Sequence, residues 1–315
     1  MSDTWNGRTL NGCLFEANPA PAPKLDAAAA AAKGLPRHVN LRPQCSPVED
    51  QLHTQSCTAN AIVGALELHQ RKANLPPTDM SRLFMFYNAR VMAKEEDNAD
   101  TGSYIHHGMA SVMAFGVCEE RMWPFEEAMV TTKPTDACYQ NATHYNAIQF
   151  ARTPKGESAM AALAQGLPVA FGIYVPSGCY QEAGRTGIMP MPDTLPEKSA
   201  PSGHAMLIVG YDLDKEVYLV RNSWGPDFGD KGYCMIPFKV MDNYAPDDQF
   251  WTIGAIEQSP GLATFGPTVT DSVKHVTDQV QGPSPLDMLR GELRQELNSR
   301  LDEARAGFRD RLRGL

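Results

Sequence analysis

Residues 57–68, Cys-Thr-Ala-Asn-Ala-Ile-Val-Gly-Ala-Leu-Glu-Leu, leave this chain little choice about its centre. Ala61, Ile62, Ala65, Leu66 and Leu68 recur at a spacing that predicts a buried helix. The segment before them is polar and flanked by breakers, which puts the helix start near Ser56 and Cys57 in the first turn. Unpaired backbone N–H groups and the positive end of the helix dipole lie there, and both favour thiolate over thiol. A cysteine so placed reads either as a nucleophile or as one more buried core thiol.

Its company separates the two readings. A cysteine nucleophile needs a base, a group to orient the base, and donors for the oxyanion. Gly203-His204-Ala205 opens the apolar run Met206–Tyr211, a predicted buried strand with His204 at its exposed start. Val217–Val220 predicts a second strand that ends in Arg221-Asn222-Ser223-Trp224-Gly225. Gln51 stands just before the cysteine. Taken singly, a histidine ahead of a strand is a surface or core residue and an Asn-Ser pair is a turn. In this order, with the cysteine, they make a candidate site.

These motifs resemble the papain-like cysteine peptidases, and more closely a bacterial branch with a Ser-Cys-Thr-Ala-Asn-Ala signature. The resemblance spans roughly Leu35 to Ile256. It rests on Gln51…Ser56-Cys57, Thr101-Gly-Ser-Tyr104, Gly116-Val-Cys-Glu119, Trp123-Pro-Phe125, Gly203-His-Ala205 and Asn222-Ser-Trp-Gly225…Gly232-Tyr233. His204 falls within the ~130–150 residues downstream of the cysteine where such enzymes place the base, and Asn222 just beyond. The resemblance implies Cys57 as nucleophile, His204 as general base and acid, and Asn222 as its orienting group. Gln51 and the Cys57 N–H would form the oxyanion hole, with Trp224 covering the Asn222–His204 hydrogen bond. Gly102 and Ser103 would pair with an extended substrate, Tyr104 and Ala205 would border the main side-chain pocket, and Ser202 and Gly203 would adjoin the base. By family position Cys118 and Cys138 are possible disulfide partners. Thr54, Thr58 and Leu52 depart from the Cys, Trp and Gly common in the family, which removes the usual first disulfide and alters the cleft rim.

The implied fold is α+β with two lobes. A helical lobe carries the cysteine, a β-barrel-like lobe carries His204 and Asn222, and an amphipathic helix ends the chain. Asp79–Met92 shows a helical core stripe, and Ile105–Phe115 predicts a helix with His106 and His107 on its surface. Strands are expected at 145–150, 168–175 and 232–237 as well as after His204 and Glu216. A long Gly/Pro-rich loop is expected over 176–201, beside the cleft. The organisation reads as an extension with a Pro/Ala linker over 1–34, a catalytic domain over 35–258, a linker over 259–285 and a helical tail over 286–315.

The first ten residues lack the basic start and apolar core of a signal peptide. The reading is therefore a cytoplasmic protein, or one exported by a route that uses no such signal. Leu10 to Glu16 reads either as a solvated tail or as a short prosegment over the cleft. The linker 18–33 can span roughly 50 Å when extended, enough to let Leu14 or Phe15 reach the pocket beside Tyr104 and Ala205. In the tail, Leu289, Leu293, Leu297, Leu301, Ala304, Phe308 and Leu312 share one face over ~40 Å of helix. That face calls for a cover: the catalytic domain, a second copy, or another protein.

A formal charge of −9 and no basic cluster in the catalytic part exclude nucleic acid as a natural partner. No apolar run approaches the ~20 residues that span a bilayer. Neither metal nor organic cofactor is implied. The expected activity is peptide-bond hydrolysis through an acyl-enzyme, on a peptide or protein substrate. The rival readings are an acyl transferase built on the same triad and a binding module working through the tail helix.

Overall fold

A computed structural model describes residues 4–15, 25, 34–93, 99–145, 147–174, 176–193 and 202–256. The tail helices expected after 258 lie outside the described residues. Helix α1 (Cys57–Lys72) is the axis of the molecule, and every residue from Cys57 to Gln70 is buried. It is apolar nearly all round because it is covered on two sides. Helices α2 (Arg82–Met92) and α3 (Ile105–Phe115) pack on one side of it, and the sheet packs on the other. Ser81 caps α2 by accepting from the Phe84 N–H at 3.1 Å. Lys72, in the last turn of α1, donates to the Gly166 carbonyl at 2.6 Å.

Before α1 come four short strands: β1 (Thr4–Trp5), β2 (Arg8–Thr9), β3 (Cys13–Leu14) and β4 (His38–Asn40). The second half holds α4 (Asp136–Ala142), β5 (Ala147–Arg152), α5 (Glu157–Ala164), β6 (Val169–Ile173), α6 (Ser177–Thr186) and β7 (Ser202–Asp212). It closes with β8 (Val217–Arg221), β9 (Tyr233–Pro237), α7 (Phe238–Tyr244) and β10 (Phe250–Ile256). The sheet runs β5-β10-β6-β7-β8-β9, with β3 and β4 also on β7, and all its pairings are antiparallel. Strand β7 is buried from Gly203 to Tyr211, which is why its sequence reads as a continuous apolar run.

The α+β two-lobe reading holds. Two expectations about its parts do not, the first being the stretch expected as a Gly/Pro-rich loop over 176–201, which begins as helix α6. Pro176 starts it and Gly187, left-handed at φ 75°, ends it. His106 and His107 are half-buried rather than on the surface. Their rings lie 4.2 Å apart, and His106 lies beside the Trp251 ring of β10 at 6.1 Å.

Candidate active site

The sulfur sits where two lobes meet the start of α1. Ser56 precedes the helix, its carbonyl accepting the Asn60 N–H at 3.1 Å and the Asn60 side-chain amide at 2.9 Å. Cys57 follows, fully buried, with the backbone N–H groups of Thr58, Cys57 itself and Ala205 directed at its sulfur. Gln51 is fully buried beside it. Its amide nitrogen donates one N–H to the Thr54 carbonyl at 2.9 Å, and its amide oxygen accepts from the Ser223 hydroxyl at 2.7 Å. A primary amide has two N–H groups, so the second is left for another acceptor.

Across the cleft, His204 Nε2 lies 2.7 Å from Asn222 Oδ1. The Ser223 N–H donates to the same oxygen at 2.8 Å. That second donor identifies the oxygen, so Nε2 of His204 must carry the proton and Nδ1 the lone pair. Nδ1 has no hydrogen-bond partner among the described residues. Trp224 stacks on the imidazole at 4.7 Å between centroids, and Tyr180 of α6 meets it edge-on at 5.7 Å. Asn222 is 2% exposed beneath them. The sequence gives no hint of Tyr180, which belongs to the stretch read as loop.

The third component is the N-terminal segment. Gly12 to Leu14 runs through the cleft as a strand, antiparallel to β7 with Cys13 opposite Gly203 and Leu14 opposite Ser202. On its other edge the Ser103 N–H donates to the Gly12 carbonyl at 2.9 Å, and the Leu14 N–H donates to the Ser103 carbonyl at 3.0 Å. A side chain at Gly12 would stand 3.0 Å from the Cys57 sulfur and 2.4 Å from the Gln55 carbonyl oxygen, so only glycine fits. Gly102 faces it at φ +88°, where a Cβ would come within 2.5 Å of the Gly12 carbonyl oxygen. The loop carrying Gly102 is anchored to the approach to Cys57, since Gln55 donates its N–H to the Asp100 carboxylate at 3.0 Å. Arg8 forms an ion pair with Asp50, next to Gln51. On the far side Leu25 is buried and donates to the Arg152 carbonyl at 2.8 Å.

Three sequence expectations are corrected here. His204 is 1% exposed, not at an exposed strand start, because Tyr180 and Trp224 cover it and β3 pairs alongside. Cys57 is not an acidic thiol in this state. Burial outweighs the three backbone donors and pushes it up to about 12, while burial takes His204 down to about 4 against the opposing effect of Asn222. The third concerns the segment: Cys13, not Leu14 or Phe15, is carried deepest. Leu14 and Phe15 stay half-buried, with the Phe15 ring over Gly172 and Gly203. Tyr104 caps the start of α3, half-buried, and Ala205 sits fully buried opposite Gly172. All seven cysteines are free thiols; Cys118 and Cys138 are hydrogen-bonded neighbours.

A buried thiol at a helix N-terminus, an imidazole with its lone pair unpartnered and a carboxamide holding the ring define the class: a thiol hydrolase. The profile of the papain family cysteine proteases matches residues 35–245, and the chain belongs to that family. It is a cysteine peptidase. It is 32% identical to an uncharacterized peptidase C1-like protein of Acanthamoeba polyphaga mimivirus, over 73% of this chain and 76% of that protein. It is 28% identical to cysteine proteinase 2 of Entamoeba histolytica, over 60% and 58% respectively. Among solved structures, xylellain, a cysteine protease from Xylella fastidiosa, superposes with TM-score 0.67 at 30% identity, covering 78% of this chain and 97% of that one. Procathepsin L2 of Tenebrio molitor shares the fold at TM-score 0.63 and 20% identity.

Proposed function

We infer that this peptidase is an endopeptidase whose N-terminal segment holds it latent. The observation that carries the reading is the extended segment of Gly12 and β3. It is an extended polypeptide pinned between Ser103 and Gly203 at the sulfur, with chain continuing past the site in both directions. A cleft that admits chain on both sides of the nucleophile suits bonds in the interior of a substrate. The same N–H and carbonyl of Ser103 would pair with that substrate once the segment leaves. The Gly12 carbonyl is held by the Ser103 N–H, so it is not presented to the oxyanion donors.

In the open enzyme His204 Nδ1 takes the Cys57 proton as the sulfur bonds to the substrate carbonyl carbon. The oxyanion is met by the free N–H of Gln51 and the Cys57 N–H. The imidazolium gives its proton to the leaving amine, the C–N bond breaks, and a thioester remains. Water then gives a proton to Nδ1 and its hydroxide to the acyl carbon, the C–S bond breaks, the imidazolium returns the proton to the sulfur, and the carboxylic acid departs and ionises in solvent. Asn222 fixes the tautomer throughout, and Trp224 keeps water from that hydrogen bond. The segment disables this chemistry physically, by occupying the Ser103 N–H and carbonyl that would pair with substrate, and electrostatically, by drying the sulfur and imidazole until both are neutral.

Within the family we place the chain in the bacterial branch bearing Ser-Cys-Thr-Ala-Asn-Ala, a placement supported by its identity to xylellain. We assign residues 259–285 as a linker and 286–315 as a helical tail that pairs with a protein surface or a second copy, on the strength of the leucine stripe alone. The test of function compares the full chain, a chain starting at Leu35, and Cys57→Ala on a mixed peptide library. Internal cleavage that is faster in the shortened chain and absent from Cys57→Ala is expected. Cleavage confined to chain ends, or equal rates for the two active forms, overturns the endopeptidase or latency reading respectively. Added amine captured in place of water would mark a transferase.

A further inference from the structure

The N-terminal segment lays a guanidinium along the cleft as well as a thiol. Gly12 lies against the Cys57 sulfur. Four positions earlier in the chain, Arg8 donates from Nε to Asp50 Oδ1 at 3.0 Å and from a terminal nitrogen to Asp50 Oδ2. This is the two-pronged pairing in which a guanidinium and a carboxylate fit best. At ~3.3 Å per residue those four steps span no more than about 13 Å. Asp50 is therefore within reach of a side chain a few residues from whatever peptide bond meets the sulfur.

Asp50 is aimed without help from Arg8. Its Oδ1 accepts the Leu52 N–H at 2.9 Å, in a turn that puts Leu52 at φ 51°. The main chain around it is fixed to the residues that follow β8. The Gln51 N–H donates to the Ser223 carbonyl at 2.8 Å, the Gly225 N–H donates to the Glu49 carbonyl at 3.0 Å, and Asp50 itself bridges Trp224. Gly225 leaves the carboxylate uncovered, since a Cβ there would stand 3.3 Å from Oδ2. The cation nearest to hand is already committed. Arg82 donates to the Asp50 main-chain carbonyl at 3.2 Å, but its charge is matched by Glu49 at 3.1 Å and Glu120 at 3.2 Å. Departure of the segment thus uncovers an oriented carboxylate that has lost its counter-charge.

We propose, on the reading that the segment lies where substrate will lie, that Asp50 is a specificity-determining residue. It receives the guanidinium of a substrate arginine within about three residues of the scissile bond, on the amine side. Trp224 sets the side. It stacks on His204, which protonates the leaving amine, and it bridges to Asp50. Ser103 and Gly203 pair with chain on the other side of the sulfur. A lysine offers a point charge in place of the fork and is the weaker occupant. An acidic side chain would meet like charge.

The full chain carrying Arg8→Ala, which vacates Asp50, is given a mixed peptide library. It is then given a matched pair of peptides with arginine or citrulline at the selected position. Citrulline keeps the shape and lacks the charge. Arginine should be enriched on the amine side of the cut, and kcat/KM for the arginine peptide should exceed that for the citrulline peptide by roughly tenfold. Adding Asp50→Asn, whose amide oxygen can still accept from Leu52, should bring that ratio to about one. If melting shows this variant unfolded, the ratio in the Arg8→Ala chain decides alone. If no peptide is cut, fluorescence anisotropy of the same pair on full-length Arg8→Ala/Cys57→Ala gives the comparison without turnover. No preference for arginine, or a preference that survives Asp50→Asn, overturns the proposal. Equal cleavage of the citrulline peptide by the unmodified full chain and by Arg8→Ala would count against latency instead, and the arginine-to-citrulline ratio would still read Asp50.

Discussion

The two walls of the cleft are built by different means. The sulfur wall is local in sequence: Gln51 through Cys57, with Asp100 tied to it through the Gln55 N–H and Ser103 through a hydroxyl–hydroxyl hydrogen bond to Thr58. The imidazole wall is assembled from distant stretches and held by rings: His204, Asn222, Trp224 and Tyr180, from β7, the β8 end and α6. Backbone hydrogen bonds fix where a group is. Ring packing fixes how it is turned and how dry it stays. A nucleophile on a rigid helix needs placing, whereas a base that must both accept and return a proton needs orienting.

Removing either reacting group should cost the most. In the chain starting at Leu35, Cys57→Ala and His204→Ala should each lower kcat/KM by about a thousandfold or more, read from peptide hydrolysis. Next comes the cover that joins the walls. Deleting residues 1–34 should speed iodoacetamide labelling of Cys57 near pH 6 by about a hundredfold, since the thiol no longer sits near the top of its range. Peptide mapping that finds another cysteine labelled first would break the assignment.

Asn222→Ala tests the orienting wall by itself. It should reduce kcat by about tenfold to a hundredfold with KM little changed, because it frees the ring without removing the base. A loss equal to that of His204→Ala would mean the carboxamide holds the wall together, not the ring alone. The smallest effect is on stability. His69, His106 and His204 are each pushed down to about 4 by burial, so between the usual 6.5 and 4 the unfolded chain binds protons that the folded chain refuses. Glu67 acts oppositely, its folded form holding a proton from 4.5 up to about 7. Burial raises Asp100 and Glu120 in the same sense as Glu67, but the three imidazoles together are shifted furthest across this window, and the melting temperature of the full chain should fall as pH drops from 6.5 to 4. A flat profile would mean the imidazoles are more hydrated than their burial implies.

The difference between the walls also decided what could be read in the sequence. Helix α1 was legible because a broad apolar run permits little else, and β7 because a strand buried on both faces is apolar throughout. Gln51, Cys57, His204 and Asn222 were found by residue type and order. Tyr180 was not, since its partners are rings brought from elsewhere and its own helix is short, with glycine and threonine in place of a clear stripe. The exposed start expected for His204 failed for a related reason: local pattern shows what a residue is beside in the chain, not what lands on it. The acidic thiol expected at Cys57 followed from the helix alone, and burial of the sulfur outweighs that effect.

The segment of Gly12 and β3 has one more effect, on durability. A cysteine nucleophile is the group most easily lost to peroxide, since a sulfenic acid formed on an accessible thiolate goes on to irreversible acids. Here the sulfur is both covered and protonated, so oxidants meet neither surface nor electron-rich sulfur. A stock of the resting chain would outlast the same stock of opened enzyme under mild peroxide. On the latency proposed above, the same segment would also set the storage life of the enzyme.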